Sequence, residues 1–373
     1  MLMAQETLKR VGFIEQIQKP FRVQIYIDDN PKGFPEGVRM LKVDLKDNNP
    51  MKFVPVYNCR EDSHHKLIAE HMANHDAAVA FGVGLYGLGA LIHDPRVPEF
   101  KESYQAFFRA KSGRSELDRI PLQTPPKYLL EYMDITKAHP DFRRYFNTRE
   151  AREDFWRIGI AIHILGPVKE NSPKIHEILT TTSEVWQKKQ APKDQWRNYP
   201  TASFFWWHDP DWENIANIME RKNPDSVMGI SSFNEHGEAP AWSFQDVLEF
   251  IKAKMIVPFQ LVVTDPIGEN VGVKSSFAQL QVPSLDDKPE WVIYRDGPND
   301  PDVLMDRLAE RFGVRHNYRR VEGVRLAARG HGKDVNLQGK MDIVQNLVQK
   351  DYARRHPPTK GVLGKFTKNL VGV

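Results

Sequence analysis

The sequence predicts an α/β fold, because amphipathic helical segments alternate with short apolar strands along most of its length. At 373 residues, with 40% hydrophobic and 10% aromatic side chains, the chain is long and apolar enough to form a sizeable core. Cys59 is its only cysteine, which excludes an intramolecular disulfide and favours a reducing compartment. No stretch resembles a secretory signal or a membrane span. We therefore expect a cytoplasmic enzyme-sized protein that does not enter a membrane.

The elements follow from apolar periodicity and turn residues. Three apolar runs within residues 21–58, separated by Asp-Asn-Pro-Lys-Gly and Asp-Asn-Asn-Pro turns, predict a small β-rich section. Helical spacing then predicts a helix over 63–74, and the run 77–81 predicts a strand that enters a glycine-rich segment. Further helices are predicted over 101–111, 128–133, 151–164, 212–221, 243–253, 302–312 and 343–352, and further strands over 204–207, 226–231, 257–263 and 290–294.

Charge is distributed unevenly along the chain. Residues 315–373 carry 13 lysines and arginines against four acidic residues, although the formal net charge of the whole chain is only +3. Such a basic end is typical of a region that binds a polyanion such as tRNA or another RNA, of an arm that crosses the protein's own anionic ligand, or of a solvated tail. We predict three sections: a β-rich section over 1–61, a nucleotide-binding and catalytic domain over 62–300, and a basic, partly helical extension over 301–373.

The glycine-rich segment is the strongest local signal. Gly82, Gly84 and Gly87 spell the dinucleotide fingerprint G-x-G-x-x-G, and such turns bring backbone N–H groups close to phosphates. That fingerprint needs a helix of several turns after its last glycine, yet Pro95 and Pro98 leave only residues 88–94 for one. An NAD-binding oxidoreductase therefore stays a minor alternative.

Histidines and polar strand ends offer further candidates. His71 and His75 are spaced like zinc ligands, but no third ligand follows, so we expect a surface helix with polar histidines, among them His64 and His65. Other segments carry cations, hydroxyls and amides that suit an anionic ligand. They are Lys111 with Arg114, Ser231–Asn234 at the end of a predicted strand, Ser275-Ser276, and Arg295 after the strand 290–294.

Taken together and in this order, these segments resemble the YrdC-like family, the threonylcarbamoyl-AMP synthases, over roughly residues 62–300. The matching segments are Tyr86-Gly87-Leu88-Gly89-Ala90, Lys111 with Arg114, Pro121-Leu122, Ser231-Ser232-Phe233-Asn234 with Gly237, Ser275-Ser276-Phe277 and Arg295-Asp296-Gly297. The resemblance implies an open, twisted, mixed sheet around a broad basic groove. It also implies a reaction that joins ATP, bicarbonate and an amino acid into a carbamoyl-adenylate with release of pyrophosphate, with Mg²⁺ as the cation.

The same resemblance implies residue roles. Lys111 and Arg114 would be catalytic, Ser232, Asn234, Ser276 and Arg295 would hold phosphates and carbamate, and Gly82, Gly84, Tyr86 and Gly87 would form the substrate wall; no protein metal ligand is implied.

The sequence also departs from the family pattern. Phe81-Gly82-Val83-Gly84 replaces the family's Pro-Thr-Asp/Glu-Thr, Ser115 takes the place of a proline after Arg114, and residues 205–210 replace an Arg-x-Pro strand. A loss of polar groups with a gain of aromatic ones implies a different amino acid or amine, or lost catalysis. The leading hypothesis is a divergent carbamoyl-adenylate synthase, and the alternative is a YrdC-like protein that binds a nucleotide or RNA without catalysis.

Overall fold

The computed structural model describes residues 12–14, 23–45, 50–74, 77–82, 85–92, 120–159, 162–170, 199–224, 227–234, 239–270, 277–297, 299–325 and 337–357, together with the single residues 172, 180, 184, 187, 193 and 197. Several predictions fall outside these ranges and are not tested by the structure. They are the helix over 101–111, His75, Gly84, Lys111, Arg114 and Ser276.

The described strands form one mixed sheet. They are β1 (Gly12–Ile14), β2 (Gln24–Asp28), β3 (Arg39–Asp44), β4 (Lys52–Asn58), β5 (Ala78–Gly82), β6 (Leu85–Ile92), β7 (Leu122–Gln123), β8 (Ile162–Pro167), β9 (Thr201–Phe205), β10 (Val227–Ser232), β11 (Leu261–Thr264), β12 (Ala278–Gln281), β13 (Glu290–Arg295) and β14 (Asn317–Arg325). The 14 strands follow the order β1-β2-β3-β4-β11-β5-β6-β10-β7-β9-β8-β12-β13-β14. Strand β11 pairs in parallel with β4 and β5, whereas β6 pairs antiparallel with β5 and β10.

The described α-helices connect and cover these strands. They are α1 (Asp62–Ala73), α2 (Leu129–Tyr132), α3 (Pro140–Arg143), α4 (Arg149–Ile158), α5 (Pro210–Lys222), α6 (Phe244–Lys254), α7 (Pro301–Phe312) and α8 (Leu337–Arg355). The helix predicted over 243–253 is confirmed as α6, where Ser243 makes a reciprocal capping box with Asp246. None of these described helices is long and apolar enough to cross a membrane.

The α/β class is confirmed, and the sheet extends across both predicted section boundaries. Val56 of β4 pairs with Val262 of β11, so the β-rich section continues the sheet of the following residues. At the other end, β14 pairs in parallel with β13. The division at residues 61 and 300 stays a prediction, because a shared sheet does not show which sections fold on their own.

Strand pairing decides two segments that the sequence left helical or open to a helix. Residues 88–92, part of the only stretch left for the helix of a dinucleotide fingerprint, belong to β6, because they pair along β5 and β10. The helix predicted over 151–164 ends at Ile158, and β8 begins at Ile162. Gly159 follows the end of α4, and Ile164 then pairs with Phe204 of β9. In both places strand partners distant in sequence decide the structure.

Helices α1 and α5 pack on one face of the central strands. Ala78 and Ala80 of β5 face this layer, where they share a buried apolar cluster with Met72 of α1 and Trp212 of α5. Small side chains on the strand let the helices approach closely. The same row of the strand ends at Gly82, which positions the first part of the candidate site.

Candidate functional site

Four predicted site residues lie together where β6 begins and β10 ends. Ser232 pairs with Gly87 across the two strands, and the Phe233 N–H donates to the Tyr86 carbonyl at 2.9 Å. The Ser232 hydroxyl donates to Oδ1 of Asn234 at 2.7 Å, and Asn234 is only 7% exposed. The resemblance assigned these residues to one site from separate motifs, and the strand register makes them neighbours.

Close packing explains why glycine stands at positions 82 and 87. A Cβ on Gly82 would lie 1.6 Å from the Trp207 ring, and one on Gly87 would lie 2.8 Å from Ile230. Neither glycine has a positive φ, so packing rather than backbone conformation requires them. The segment is therefore a β-hairpin whose glycines admit neighbouring side chains. Because β6 follows where a dinucleotide fingerprint needs a helix, the interpretation of these glycines as such a fingerprint is wrong.

Tyr86 of β6 forms a buried polar pair with Glu269. Its hydroxyl donates to Oε1 of Glu269, in a short 3-10 helix after β11. Burial, opposed by the hydrogen bond from Tyr86, raises the pKa of Glu269 above its ordinary value. Burial and the Glu269 charge likewise raise the pKa of the Tyr86 phenol well above its usual range. The predicted substrate-wall tyrosine therefore has its hydroxyl held by a carboxylate.

Arg295 lies in a different part of the sheet from Ser232. Four strands separate β10 from β13 in the sheet order, and the Arg295 Nε–H donates to the Phe277 carbonyl at 2.7 Å. The His163 ring lies beside this arginine, 5.0 Å from Phe205 and 5.3 Å from Phe277 between ring centroids. Burial, reinforced by the Arg295 charge, holds the pKa of His163 well below its ordinary value. The chain therefore presents a neutral, buried imidazole next to a predicted anion-binding cation.

Sequence reasoning missed His163. The sequence shows only a single histidine within the apolar run Ile162–Leu165. Because residues 151–164 were predicted to be helical, this run was not recognised as a strand. The ring is 8% exposed, and Nδ1 has no hydrogen-bond partner in the described part of the chain.

A buried ion cluster lies next to the ends of β4 and β11. Arg60 donates to Asp209 at 2.7 and 2.9 Å, to Asp211 at 2.7 Å, and to Asp265 at 3.0 Å. All four side chains are at most 5% exposed. This cluster ties together the segments that follow β4, β9 and β11. Nothing in the local sequence around each of these residues signals the other three.

The C-terminal helix α8 joins this cluster. Arg355 donates to both carboxylate oxygens of Asp211 at 2.8 Å and also contacts Asp62. Asp62, His65 and Asp211 place ligand atoms within 4.8 Å of one another, close enough to share a metal ion. The Arg355 guanidinium already supplies positive charge there. We therefore interpret the group as an ion-pair site.

The expectation of surface histidines is wrong for His64 and His65, which are buried. His64 accepts from the Asn58 N–H at 3.1 Å, and its Nε2 lies 3.1 Å from the Glu36 carbonyl. In His65, Nδ1 contacts the side-chain amide of Asn214, and Nε2 contacts the Cys59 carbonyl. Both ring nitrogens of each histidine thus have a polar contact outside α1, so the two histidines hold α1 to its neighbours.

Comparison with known proteins gives structural matches only. No protein-family model and no curated protein matches the sequence. P. abyssi Sua5 complexed with L-threonine matches with a TM-score of 0.46 at 15% identity, over 71% of this chain and 62% of the Sua5 chain. E. coli YciO matches with a TM-score of 0.42 at 11% identity, over 67% of this chain and 96% of YciO. Full-length HypF in its phosphate- and nucleotide-bound form matches with a TM-score of 0.40 at 12% identity, over 63% of this chain and 29% of HypF.

These likenesses are modest in every case. At such identities and at TM-scores below 0.5, the likeness concerns the fold alone. The chain spans 62% of the length of the Sua5 chain bound to L-threonine. Activity, substrates and partners therefore have to be argued from the residues of this chain.

Proposed function

We propose that this protein is a divergent carbamoyl-adenylate synthase that uses ATP, bicarbonate and an amino acid or related amine. The observation that carries the proposal is the register of β6 and β10, which makes Tyr86-Gly87 the neighbour of Ser232 and Asn234. Two motifs that the resemblance treats as one ligand site thus meet in space.

The proposed reaction has two steps. The amine nitrogen attacks the bicarbonate carbon, and water leaves to give a carbamate. A carbamate oxygen then attacks the α-phosphorus of ATP, the α–β phosphoanhydride bond breaks, and pyrophosphate leaves. Negative charge develops on the phosphates, and fixed N–H and O–H donors stabilise such charge most effectively.

Ser232 and Asn234 suit this role because each fixes the other. The Ser232 hydroxyl donates to Oδ1 of Asn234, which sets the amide's orientation and directs its N–H donors away from the serine. By resemblance, Lys111, Arg114 and Ser276 add cations and a hydroxyl to the same phosphates. Arg295, beside His163, would hold a separate part of the ligand.

Magnesium fits this proposal as the counter-ion of ATP. Within the described ranges, the group with ligand atoms close enough to share an ion is Asp62, His65 and Asp211, where Arg355 already lies. We therefore assign Mg²⁺ to the triphosphate oxygens, where it would neutralise the charge of the leaving pyrophosphate.

The amine substrate is expected to be less polar than threonine. The Trp207 ring lies over Gly82, at the position where the family pattern has hydroxyl and carboxylate side chains. An indole offers van der Waals contact to a ligand but far fewer hydrogen bonds. We therefore propose an amine with a larger apolar side chain as the acceptor.

Pyrophosphate release tests the proposal directly. The full chain is incubated with ATP, Mg²⁺, bicarbonate and a panel of amino acids that includes threonine and larger apolar ones. Asn234→Ala should lower kcat on the order of 10²-fold, the usual effect of losing one fixed donor. Ser232→Ala should also lower kcat, because it removes the hydrogen bond that orients the Asn234 amide. Ser63→Ala and Asn30→Ala, at exposed positions, are the matched controls and should retain activity. Bicarbonate-independent release, or equal rates in all four variants, contradicts the proposal.

Binding of RNA without catalysis is the competing function, and three arginines of the basic end already have acidic partners within the described residues. Arg315 pairs with Asp302 at 2.9 Å, Arg319 with Glu290 at 3.1 Å, and Arg320 with Asp296 at 3.1 Å. These arginines of the basic end are thus balanced by the acidic body. RNA binding that weakens steeply with salt, together with no pyrophosphate release on any amine, would favour this second function.

A further inference from the structure

His316 is the buried side chain of a surface loop. The loop, residues 313–316, joins the end of α7 to the start of β14. Gly313 and Arg315 are exposed and Val314 is half-buried, whereas His316 is only 7% exposed. The imidazole ring is therefore the part of this loop that enters the protein interior.

The ring enters a cluster of aromatic side chains. Its centroid lies 4.3 Å from that of Phe142 in α3 and 5.9 Å from that of Tyr145. The Trp291 ring of β13 completes the cluster, with its centroid 4.8 Å from that of Phe142 and 5.6 Å from that of Tyr145. Phe142, Tyr145 and Trp291 are fully buried. The His316 ring therefore joins the loop to α3 and to β13.

The surroundings of this ring suit its neutral form. The ring makes a backbone hydrogen bond to Pro289, which has only a carbonyl acceptor to offer. Nε2 of His316 is buried and has no hydrogen-bond partner in the described part of the chain. A neutral imidazole carries one N–H group, whereas the protonated ring carries two. Protonation would thus leave a charged donor without an acceptor, which costs more than an unpaired neutral nitrogen.

The charged groups around the ring do not offset this cost. On the α3 side, Asp141 favours protonation of His316, whereas Arg144 and His139 oppose it. The charged side chains at the ends of α7 and β13 and in the loop form ion pairs of their own, namely Arg311 with Asp154, Glu290 with Arg319, and Arg315 with Asp302 and Asp306. Burial therefore dominates and lowers the pKa of His316 below its ordinary value.

We propose that His316 is a pH-sensitive latch, which holds the loop 313–316 on the aromatic cluster when neutral and releases it when protonated. Release is a local movement, because the rest of the loop already lies at or near the surface. Arg315 keeps its ion pair with Asp302 at 2.9 Å, so the loop stays attached to α7. The latch does not depend on the proposed function.

Linkage gives the direction and the size of the effect. The released ring titrates at the ordinary histidine pKa of 6.5, whereas the buried ring titrates lower. The closed loop is therefore fully stable above pH 6.5 and loses stability as pH falls below that value. Between about pH 7.5 and pH 5.5, the ratio of open to closed loop should rise by up to about tenfold, the limit for a buried ring that stays neutral throughout.

Two measurements on the full-length chain test the latch. An NMR titration of the histidine side chains gives the pKa of His316, whose signal is identified by its loss in His316→Phe; we expect a value below 6.5. Hydrogen–deuterium exchange, corrected for the intrinsic effect of pH, reports opening at residues 145–147 and 313–318. We expect protection there to fall by up to about tenfold from pH 7.5 to pH 5.5, while α6 stays protected.

Substitutions separate the latch from general destabilisation. His316→Phe keeps an aromatic ring in the cluster but cannot be protonated, so its protection should not depend on pH. His316→Asn removes the ring and should open the loop at both pH values. His356→Gln is the matched control, because His356 is exposed and lies 3.2 Å from Asp62; it should keep the pH dependence of the parent chain.

Three results would each overturn the proposal. They are a His316 pKa at or above 6.5, protection of the loop in the parent chain that does not change with pH, and an equal pH-dependent loss of protection in His316→Phe. Thermal melting shows whether each variant is folded, and loss of protection in α6 as well would mean global unfolding rather than release of the loop.

Discussion

Replacement of Arg60 by methionine tests the buried ion cluster. Arg60 makes five hydrogen bonds to Asp209, Asp211 and Asp265, and methionine keeps an unbranched apolar side chain while removing every one of these donors. Removal of one partner from a buried ion pair costs about 3–5 kcal/mol, since the remaining charge is left without compensation.

Three carboxylates lose a partner here, but the costs do not simply add, because each retains another one. Asp211 keeps Arg355 at 2.8 Å, Asp209 still accepts from the N–H groups at the start of α5, and Asp265 still accepts from the Gly268 N–H at 2.9 Å. We therefore expect the loss of unfolding free energy to lie within the range for a single pair, about 4 kcal/mol.

Urea unfolding followed by circular dichroism measures this loss from the shift in midpoint at constant slope. Arg354→Met is the matched control, since Arg354 is 76% exposed and pairs with Asp351 at the surface; it should cost less than about 1 kcal/mol. Asp265→Asn in the Arg60→Met background should restore part of the stability, because it removes one uncompensated charge. An Arg60→Met loss no larger than that of Arg354→Met would refute the reasoning.

Three further substitutions test single interactions, each by the shift in unfolding free energy. Gly82→Ala should destabilise the fold by about 1–3 kcal/mol, because its Cβ would overlap the Trp207 ring; an unchanged midpoint would contradict the packing. Ser243→Ala should cost about 1 kcal/mol through loss of the α6 cap, and Ser243→Asn should recover most of it. Burial raises the pKa of Glu269 above 4.5 in the folded chain, so its stabilising contribution is present below pH 4.5 and is lost as pH rises through the folded pKa. Glu269→Gln should therefore gain stability relative to the parent chain as pH increases from 4.5 to 7, and a constant difference would contradict this assignment.

Local signals were sufficient for elements that depend on local interactions. The cap at Ser243 and the apolar spacing after it predicted α6, and the stripe of apolar residues predicted α7 to within one residue. Capping and helical periodicity involve residues no more than a few positions apart, so a sequence window contains all the partners.

Strands whose partners are distant were harder to predict. Residues 88–92 have helix-compatible side chains, yet Gly89 pairs with Ala78 on one side and Ile230 on the other. In the same way, β8 forms because Ile164 pairs with Phe204. The apolar periodicity of residues 151–164 carries no information about a partner that lies so far along the chain.

The residues of the candidate site also differ in how well the sequence predicted them. The motif order predicted that Tyr86-Gly87 and Ser232–Asn234 belong to one site, and the register makes them neighbours. The same motifs included Arg295, which four intervening strands place elsewhere in the sheet. His163 beside it had no motif, because a single histidine in an apolar strand gains meaning only from the side chains packed around it.

The buried ion cluster explains why we expect a ligand at the end of β10 rather than at the ends of β4, β11 and β5. In α/β sheets, ligands bind at the carboxyl ends of parallel strands, and β4, β11 and β5 form one such group in this sheet. Arg60 and its three aspartates fill the space beyond β4 and β11, and the Trp207 ring covers the end of β5 at Gly82. The neighbouring strand ends carry Gly87 and the Ser232–Asn234 pair. The Glu269 N–H donates to the Asp265 carbonyl at 3.0 Å. The ion cluster therefore also anchors the segment whose Glu269 carboxylate accepts from Tyr86, and it helps to position the candidate site.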